Sequence, residues 1–136
     1  MMTKNIPFID LAAQQDRLKE GINKNIDKVL SHGKYIMGPE VSEFEKKLEN
    51  YTQSKSAVTC GSGTDALLLS LMAYNIGKDD IVFCPAFTFP ATAEVISLIG
   101  AIPYFIDVET DTFNISVESL ERGIAENSKN NKSKMK

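Results

Sequence analysis

Cysteine is scarce in this sequence, which contains two cysteines among 136 residues. Cys60 and Cys84 are too few and too widely spaced for a disulfide framework or for a zinc ligand set. We therefore expect two reduced, mostly buried thiols and no metal site.

A strong basic charge and a long apolar run are also missing. The formal net charge is -3, and no sustained basic face indicates binding to nucleic acid or to an anionic membrane surface. No apolar run approaches the roughly 18 residues of a membrane span, and Asp10 interrupts the N-terminus too early for a secretory signal. We expect a soluble, cytoplasmic globular chain whose partners are small molecules rather than nucleic acid or membranes.

Two amphipathic helices are predicted within the first fifty residues. The first ends at the His32-Gly33 pair, and its apolar residues recur at helical spacing: Leu11, Leu18, Ile22, Ile26 and Val29. The second begins in "YIMGPEVSEFEKKLENY", where Pro39 suits a first helical turn and Glu40 complements the positive helix end. Its apolar stripe, predicted to pack in a core, comprises Val41, Phe44, Leu48 and Tyr51.

From Ser56 onward, short β-like runs alternate with helical segments. Strands are predicted over "SAVTC", "IVFCP" and "IPYFIDV", and helices over residues 64–75, over "PATAEVISLIG" and after the N-cap residue Ser116. This alternation predicts an α/β fold with a parallel sheet. The helix at 64–75 is apolar nearly all round and is expected to be buried, with Gly77 and Gly100 at helix ends. The closing "ENSKNNKSKMK" is expected to be a solvated linker or a frayed end.

The stretch "TCGSGTDALLLSLMAY" carries the strongest functional pattern, because Gly61, Gly63 and Ala66 satisfy the dinucleotide fingerprint G-x-G-x-x-[GA]. A nicotinamide site also needs an acidic residue at the carboxyl end of the following strand. Asp79 and Asp80 instead precede "IVFCP". A nicotinamide dehydrogenase half-domain therefore remains an alternative, but the acidic residue that it needs at the strand end is absent. A P-loop is not supported either, because no Lys-Ser/Thr pair follows the glycines.

A tight turn that leads into a helix still favours a phosphate, because the first N–H groups of the helix are unpaired and its dipole attracts anions. Ser62 and Thr64 add hydroxyl donors there. The Asp65 carboxylate would repel a phosphate, so its side chain should turn aside or cap the helix and leave only its N–H available. The alternative is a strand-to-helix turn in which the glycines serve geometry alone.

Three stretches carry a family resemblance: the opening from Pro7 through "YIMGPEV", the "SGTDAL" turn, and "FCPAFTFPATAEVISLIGAIPYFIDVETDTFNI". In this order they resemble the N-terminal part of the DegT/DnrJ/EryC1/StrS sugar aminotransferases, and the likeness extends from Pro7 to Lys136. The resemblance implies the large domain of the type I fold of enzymes that use pyridoxal 5'-phosphate (PLP), with a mixed, mostly parallel sheet and flanking helices.

The same resemblance implies an activity. Family members transfer an amino group, with glutamate the expected donor, to a keto group of a nucleotide-linked sugar, and they work as homodimers. The opening is most similar to members that aminate a UDP-linked 3-oxo sugar of the glucuronate type for surface polysaccharide synthesis; other members make antibiotic sugars.

Site residues follow from matching motif positions. Ser62, Gly63, Thr64 and Asp65 are placed at the PLP phosphate. Phe89, the aromatic residue after "FT", is placed against the pyridine ring. Phe89 follows a strand end, where ligands of open α/β sheets bind, although a core phenylalanine is the alternative.

The resemblance also implies that the chain is a truncated piece. Its parts would be a helical segment at 1–54, a partial PLP-binding domain at 55–128 and a polar tail at 129–136. The Schiff-base lysine and the aspartate for the pyridine nitrogen belong to the missing part, so no catalytic residue is assigned here and the chain alone is expected to be inactive.

Truncation should also leave "SAVTC" without a pairing strand and one face of the leucine-rich helix exposed, which is an aggregation hazard. A non-catalytic role as an interaction fragment for a full-length partner is a further alternative.

Overall fold

The computed structural model describes residues 7–130 and 134–135. In chain order the elements are α1 (Leu11–His32), α2 (Pro39–Thr52), α3 (Gly63–Ala73), β1 (Asp80–Pro85), α4 (Ala91–Leu98), β2 (Ile102–Ile106), α5 (Val117–Asn130) and β3 (Lys134–Met135). The chain divides into two compact units, Met1–Thr59 and Cys60–Lys136. None of the described helices is both long enough and apolar enough to cross a membrane.

Helix α1 is capped at both ends by local hydrogen bonds. The Asp10 side chain accepts a hydrogen bond from the Ala13 N–H at 2.9 Å and so caps the first turn. Gly33 follows His32 in the left-handed region at φ 64, and its N–H donates to the Val29 carbonyl at 3.0 Å. The predicted end of the helix at His32-Gly33 is confirmed.

Helix α2 begins at Pro39, as predicted, and the glycine before it has a steric role. A Cβ placed on Gly38 would lie 2.3 Å from the Lys34 carbonyl oxygen. No real side chain tolerates that distance, so the backbone can fold over this carbonyl only with glycine at position 38. Met37 enters the turn with φ 49, which few residues other than glycine adopt. The "YIMGPEV" sequence therefore encodes a tight entry into α2.

The predicted core packing of the α2 stripe is not found. Phe44 and Tyr51 are exposed, and neither α1 nor α2 contains a buried residue. Leu11, Leu18, Ile22 and Ile26 of α1 are exposed in the same way, whereas Val29 of α1 and Val41 and Leu48 of α2 are partly buried. Helical periodicity correctly predicted both helices, but it cannot tell whether the chain supplies a surface to cover the apolar side.

The predicted strand "SAVTC" does not form. Residues 56–60 have no strand assignment, and the Ala57 and Thr59 N–H groups donate to the Glu49 and Glu45 side chains of α2 at 3.1 and 2.9 Å. A strand needs a neighbouring strand, and the described residues provide none here. This agrees with the expectation that the segment has no pairing strand within this chain.

The second unit contains a three-stranded sheet with strand order β2-β1-β3, and both pairs are parallel. In register, Ile81 lies opposite Ile102 and Pro85 opposite Ile106. The predicted α/β class with a parallel sheet is confirmed. The polar end differs from its prediction as a tail, because α5 continues to Asn130 and Lys134–Met135 pairs with β1; residues 131–133 and 136 lie outside the described residues.

Helices cover both faces of this sheet. Cys84 of β1 and Val95 and Ile96 of α4 form the buried core together with Ala101. On the other face, Gly123 of α5 lies against side chains of both strands, and an added Cβ would meet Tyr104 at 2.9 Å, Ile106 at 3.0 Å and Phe83 at 3.2 Å. Successive residues of a strand face opposite sides, so Phe83 and Cys84 assign α5 and α4 to opposite faces.

The leucine-rich helix α3 is only half covered. Leu68 and Leu71 pack against the core cluster, whereas Leu67, Leu69 and Met72 are exposed. The expectation that the whole helix is buried is wrong for this chain, and the exposed face expected from truncation is present. Cys60 is likewise exposed rather than buried, while Cys84 is buried as predicted.

The ends of α3 and α4 use different residues. Gly100 follows α4 with φ 81, as its predicted position at a helix end requires. Helix α3 instead ends at Ala73, and Asn75 takes the left-handed conformation at φ 54. Gly77 therefore belongs to the turn before β1 and does not end α3. Asparagine tolerates this region through local hydrogen bonding, which is why the prediction chose the wrong residue.

Candidate functional site

The first turn of α3 is capped by Ser62. Its hydroxyl oxygen accepts a hydrogen bond from the Asp65 N–H at 3.1 Å, and its carbonyl accepts one from Ala66 at 3.0 Å. The cap is therefore Ser62 and not Asp65. The Asp65 N–H, expected to be available to a phosphate, is occupied in this structure.

The Asp65 carboxylate folds back over Gly61. Its Oδ2 atom lies 2.8 Å from the place that a Cβ on Gly61 would occupy. A side chain at position 61 would displace only the far end of the Asp65 side chain, so packing within this chain does not by itself require glycine there. This position agrees with the expectation that the carboxylate turns aside.

Gly63 differs from Gly61, because a Cβ placed on Gly63 meets no atom within 4 Å. Packing within this chain therefore does not require glycine at position 63. As the first two residues of α3, Gly63 and Thr64 have N–H groups without an acceptor inside the helix, and the helix dipole makes this end positive. The turn offers open space beside donors, an arrangement that suits a phosphate group.

Phe89 lies in the loop that follows β1. At the start of this loop the Ala86 N–H donates to the Ile106 carbonyl at 2.8 Å, which adds one hydrogen bond beyond the end of β1. Within the loop and the start of α4, the Thr88 and Thr92 hydroxyls lie 3.0 Å apart. The Phe89 side chain is 76% exposed. The alternative interpretation of Phe89 as a core residue is therefore wrong for this chain, and its ring is available to a ligand.

The phosphate-type turn and Phe89 are expected at the same end of the second unit. Leu68 and Leu71 of α3 pack on the core cluster that contains Cys84 of β1, and a helix that leads into a strand of an α/β sheet usually runs antiparallel to it. The first turn of α3 is then expected towards the carboxyl end of the strand. Ligands of open α/β sheets bind at this end of the strands.

Two further aromatic residues lie in the same region, and no sequence pattern marked them. The Phe87 and Phe113 rings are 5.2 Å apart with an interplanar angle of 37°. Phe113 adopts φ 57, and its N–H donates to the Glu109 carbonyl at 2.9 Å. The ring contact joins the loop after β1 to the loop after β2. The available signal was an aromatic residue soon after each of two adjacent parallel strands.

The acidic pair Asp79-Asp80 has a structural role at the start of β1. Asp80 is the first residue of β1, is buried, and accepts a hydrogen bond from the Gly77 N–H at 2.9 Å. Asp79 occupies the preceding turn with φ 69. Both residues lie at the amino end of the strand, opposite to where a nicotinamide ribose would need a carboxylate. The geometry thus opposes the dehydrogenase alternative.

Comparison with protein families gives one match across most of the chain. The model of the DegT/DnrJ/EryC1/StrS aminotransferase family matches residues 16–130. A curated relative is UDP-2-acetamido-2-deoxy-3-oxo-D-glucuronate aminotransferase of Pseudomonas aeruginosa, which is 44% identical over 124 residues, or 91% of this chain and 34% of that protein.

Solved structures of aminotransferases are also similar to this chain. An aminotransferase of this family from Brucella abortus superposes with a TM-score of 0.93 at 48% identity, covering 97% of this chain and 35% of that chain. NtdA from Bacillus subtilis, solved with its cofactor PMP, superposes with a TM-score of 0.79 at 30% identity, covering 90% of this chain and 28% of that chain. The chain therefore spans about a third of the length of the relatives that it matches.

Proposed function

Because this chain belongs to the DegT/DnrJ/EryC1/StrS aminotransferase family, we propose that it forms the phosphate-binding and ring-binding part of a PLP-dependent sugar aminotransferase. The whole enzyme would transfer an amino group, with glutamate as the donor, to a keto group of a nucleotide-linked sugar. When bound, PLP supplies the electron sink for this exchange. Relatives named for amination of UDP-linked and dTDP-linked sugars support this proposal.

The observation that carries the proposal is the open space at Gly63. Glycine there is unexplained by packing, because an added Cβ would meet nothing within 4 Å, and close approach of a phosphate would explain it. The N–H groups of Gly63 and Thr64 and the hydroxyls of Ser62 and Thr64 would hold the phosphate. Asp65 would contribute indirectly, because its N–H fixes the Ser62 side chain.

Phe89 would hold the pyridine ring of the cofactor. An exposed phenylalanine just beyond a strand end offers a flat apolar surface to a flat ring. The contact between Phe87 and Phe113 would support this role by restraining the two loops around Phe89. This chain's share of the chemistry is thus to bind and orient the cofactor.

The finer parts of the proposal follow the similarity to the Pseudomonas aeruginosa protein. That relative is named for a UDP-linked 3-oxo-glucuronate derivative, and we assign the same substrate class to the whole enzyme, with a role in surface polysaccharide synthesis. A homodimer and a cytoplasmic location remain predictions of the family resemblance and of the sequence.

The chain alone should transfer no amino group. Covalent PLP chemistry needs one desolvated lysine with a lowered pKa beside the cofactor, and no lysine of this chain matches that family position. Borohydride reduction after incubation with PLP, followed by peptide mapping, should label several lysines weakly. Stoichiometric labelling of a single lysine, together with turnover of an amino donor, would contradict this expectation.

A chimera tests the proposed function directly. We would join this chain to the remainder of the Pseudomonas aeruginosa relative and measure PLP absorbance and amino transfer from glutamate to the UDP-linked 3-oxo sugar. Both are expected. A chimera that folds, as judged by circular dichroism, but retains no PLP would refute the proposal.

Gly63→Val in that chimera tests the phosphate assignment. A branched side chain should fill the space beside the first N–H groups and weaken PLP binding at least about tenfold, on the order of 1.4 kcal/mol, with little loss of folding. Gly21→Val is the matched control, because Gly21 also has nothing within 4 Å of an added Cβ but lies within α1. Equal PLP affinity in the two variants would remove Gly63 from the site.

A further inference from the structure

Glu45 of α2 accepts two hydrogen bonds from a single residue. The Thr59 N–H donates to Glu45 Oε1 at 2.9 Å, and the Thr59 hydroxyl donates to the same oxygen at 2.8 Å. The Thr59 N–H, and secondly its hydroxyl, lowers the pKa of Glu45. The acceptor is therefore ionised at neutral pH, and both bonds are of the stronger, charge-assisted kind. Thr59 is thus fixed to α2 by its backbone and by its side chain.

Thr59 lies immediately before the phosphate-type turn. Cys60, Gly61 and Ser62 follow it, and α3 begins at Gly63. Thr59 ends the first compact unit and Cys60 begins the second, so the connection between the Glu45 contact and the turn runs through the backbone. The contact with Glu45 therefore fixes the residue from which the chain enters the turn.

Local hydrogen bonds hold the helical side of the turn. The Ser62 hydroxyl accepts from the Asp65 N–H at 3.1 Å, and the Ser62 carbonyl accepts from the Ala66 N–H at 3.0 Å. The Cys60 thiol donates to the same carbonyl at 3.2 Å. These contacts connect Ser62 to α3 and to Cys60. The helical side is thus ordered by residues within the second unit.

The entry side of the turn needs an anchor for a different reason. Glycine has more backbone freedom than any other residue, and the turn contains Gly61 and Gly63. Residues 56–60 form no strand, so a sheet does not hold this side among the residues that the structure describes. The contact between Glu45 and Thr59 provides the anchor instead. A binding site whose donors are fixed before the ligand arrives loses less entropy on binding.

We propose that Glu45 is a positioning residue for the cofactor phosphate. Through Thr59 it would hold the entry to the turn, so that the N–H groups of Gly63 and Thr64 keep their direction towards one phosphate. Glu45 itself is assigned no contact with the cofactor. The inference rests on the proposed function, because it takes PLP as the ligand of this turn.

Glu45→Ala in the chimera with the Pseudomonas aeruginosa relative tests this role. PLP binding, titrated by absorbance, should weaken at least about tenfold, because two hydrogen bonds to a charged group are lost. At saturating PLP, the phosphorus-31 NMR resonance of the bound phosphate should shift, while the absorbance maximum of the ring stays unchanged. Unchanged PLP affinity, or a weakened affinity with an unchanged phosphorus resonance, would overturn the proposal.

Two further variants separate positioning from a general loss of α2. Glu45→Gln keeps an acceptor oxygen for Thr59 and should recover most of the PLP affinity and the parental phosphorus resonance. Glu43→Ala removes an exposed carboxylate of the same helix that pairs with Lys47, and both measurements should match those of the parent chimera. Equal changes in Glu43→Ala and Glu45→Ala would show that the readouts report only on α2, which refutes the role of Glu45.

The partner residue provides a test of the path. Thr59→Val removes the hydroxyl donor but keeps the N–H, and we expect PLP binding to weaken about threefold. Thr59→Ser keeps both donors and should bind PLP as the parent does. In a chimera that already carries Glu45→Ala, Thr59→Val should have no further effect, since the two residues act as one unit. Fully additive effects would overturn the path through Thr59.

The same measurements distinguish failure of this inference from failure of the proposed function. A parent chimera that folds, as judged by circular dichroism, but retains no PLP refutes the proposed function and the role of Glu45 with it. A parent chimera that retains PLP, together with a Glu45→Ala variant that is indistinguishable from Glu43→Ala, refutes the role of Glu45 alone. Loss of PLP affinity and a moved phosphorus resonance in Glu45→Ala only is the expected result.

Discussion

The buried apolar side chains of the described residues all lie in Cys60–Lys136, whereas α1 and α2 of Met1–Thr59 contain no buried residue. In the second unit, Cys84, Val95 and Ile96 are each 2% exposed and form one cluster. Burial of such side chains stabilises a fold by about 1.5–3 kcal/mol each. The second unit therefore has the usual source of stability of a small α/β domain.

The first unit depends on polar contacts instead. Glu40 at the start of α2 binds Lys28 at 3.1 Å and His32 at 3.1 Å, both on α1. The Lys34 N–H donates to Nδ1 of His32 at 3.0 Å, so the neutral ring must carry its proton on Nε2, facing Glu40. Exposed ion pairs contribute little to stability. The contrast is that the first unit leaves its apolar stripes largely uncovered, while the second has a core.

The largest expected effect comes from comparing an isoleucine-to-alanine substitution in each of the two units. Ile96→Ala removes a buried side chain and should lower the free energy of unfolding by about 2–5 kcal/mol. Ile22→Ala in α1 removes a side chain that is 45% exposed and should change it by less than about 0.5 kcal/mol. Urea unfolding followed by circular dichroism measures both. Equal losses would show that α1 is packed as tightly as the sheet core.

A second pair compares two helical glycines. Gly123→Val places atoms against Tyr104, Ile106 and Phe83, and we expect a loss of about 1–3 kcal/mol from overpacking. Gly21→Val in α1 meets nothing within 4 Å, and replacing a helical glycine should cost nothing or stabilise by a few tenths of a kcal/mol. Thermal unfolding of the two variants checks the difference. A neutral Gly123→Val would mean that α5 does not pack on the sheet as described.

Phe89→Ala compares an exposed aromatic residue of the site with an exposed aromatic residue of α2. In the chimera with the Pseudomonas aeruginosa relative, we expect Phe89→Ala to weaken PLP binding by roughly 1–3 kcal/mol, the scale of a lost aromatic contact. Phe44→Ala should leave PLP binding unchanged. Titration of PLP by absorbance measures both affinities. Unchanged affinity for Phe89→Ala would remove the ring-binding role from this residue.

The smallest effect is an acid sensitivity of the first unit. The hydrogen bond from the backbone N–H of Glu40, with Lys28 and His32, lowers the pKa of Glu40 from 4.5 to about 2. A pKa lowered in the folded state stabilises folding above pH 4.5, and this contribution is lost as the pH falls from 4.5 to about 2. Because Glu40 is accessible to solvent, the change should be small.

Glu40→Gln should remove this acid transition, and Glu20→Gln in α1 is the control that should retain it. Carbon-13 NMR titration of the glutamate carboxyl groups follows the change residue by residue. A Glu40 carboxyl that titrates at its ordinary pKa of 4.5 would show that its contacts to α1 do not persist in solution.

Local sequence features predicted the ends of most elements. Ser116 begins a helix, Gly33 and Gly100 end helices, and Pro39 starts α2. Each depends on a hydrogen bond or a steric limit within a few residues, so the local sequence is sufficient. The open turn at Gly63 followed from the same kind of pattern, although Ser62 rather than Asp65 caps it.

Only the tertiary structure decided which apolar or β-like segments found a partner. "SAVTC" has a strand-like sequence, yet its amides bind Glu45 and Glu49, because no strand lies beside it among the described residues. "IVFCP" is no more β-like but pairs with β2 and β3. The sequence by itself determined the helix ends, the α/β class and the turn at Gly63, since short-range hydrogen bonds and sterics control them. Strand pairing and burial depend on distant residues, and so only the fold could assign them.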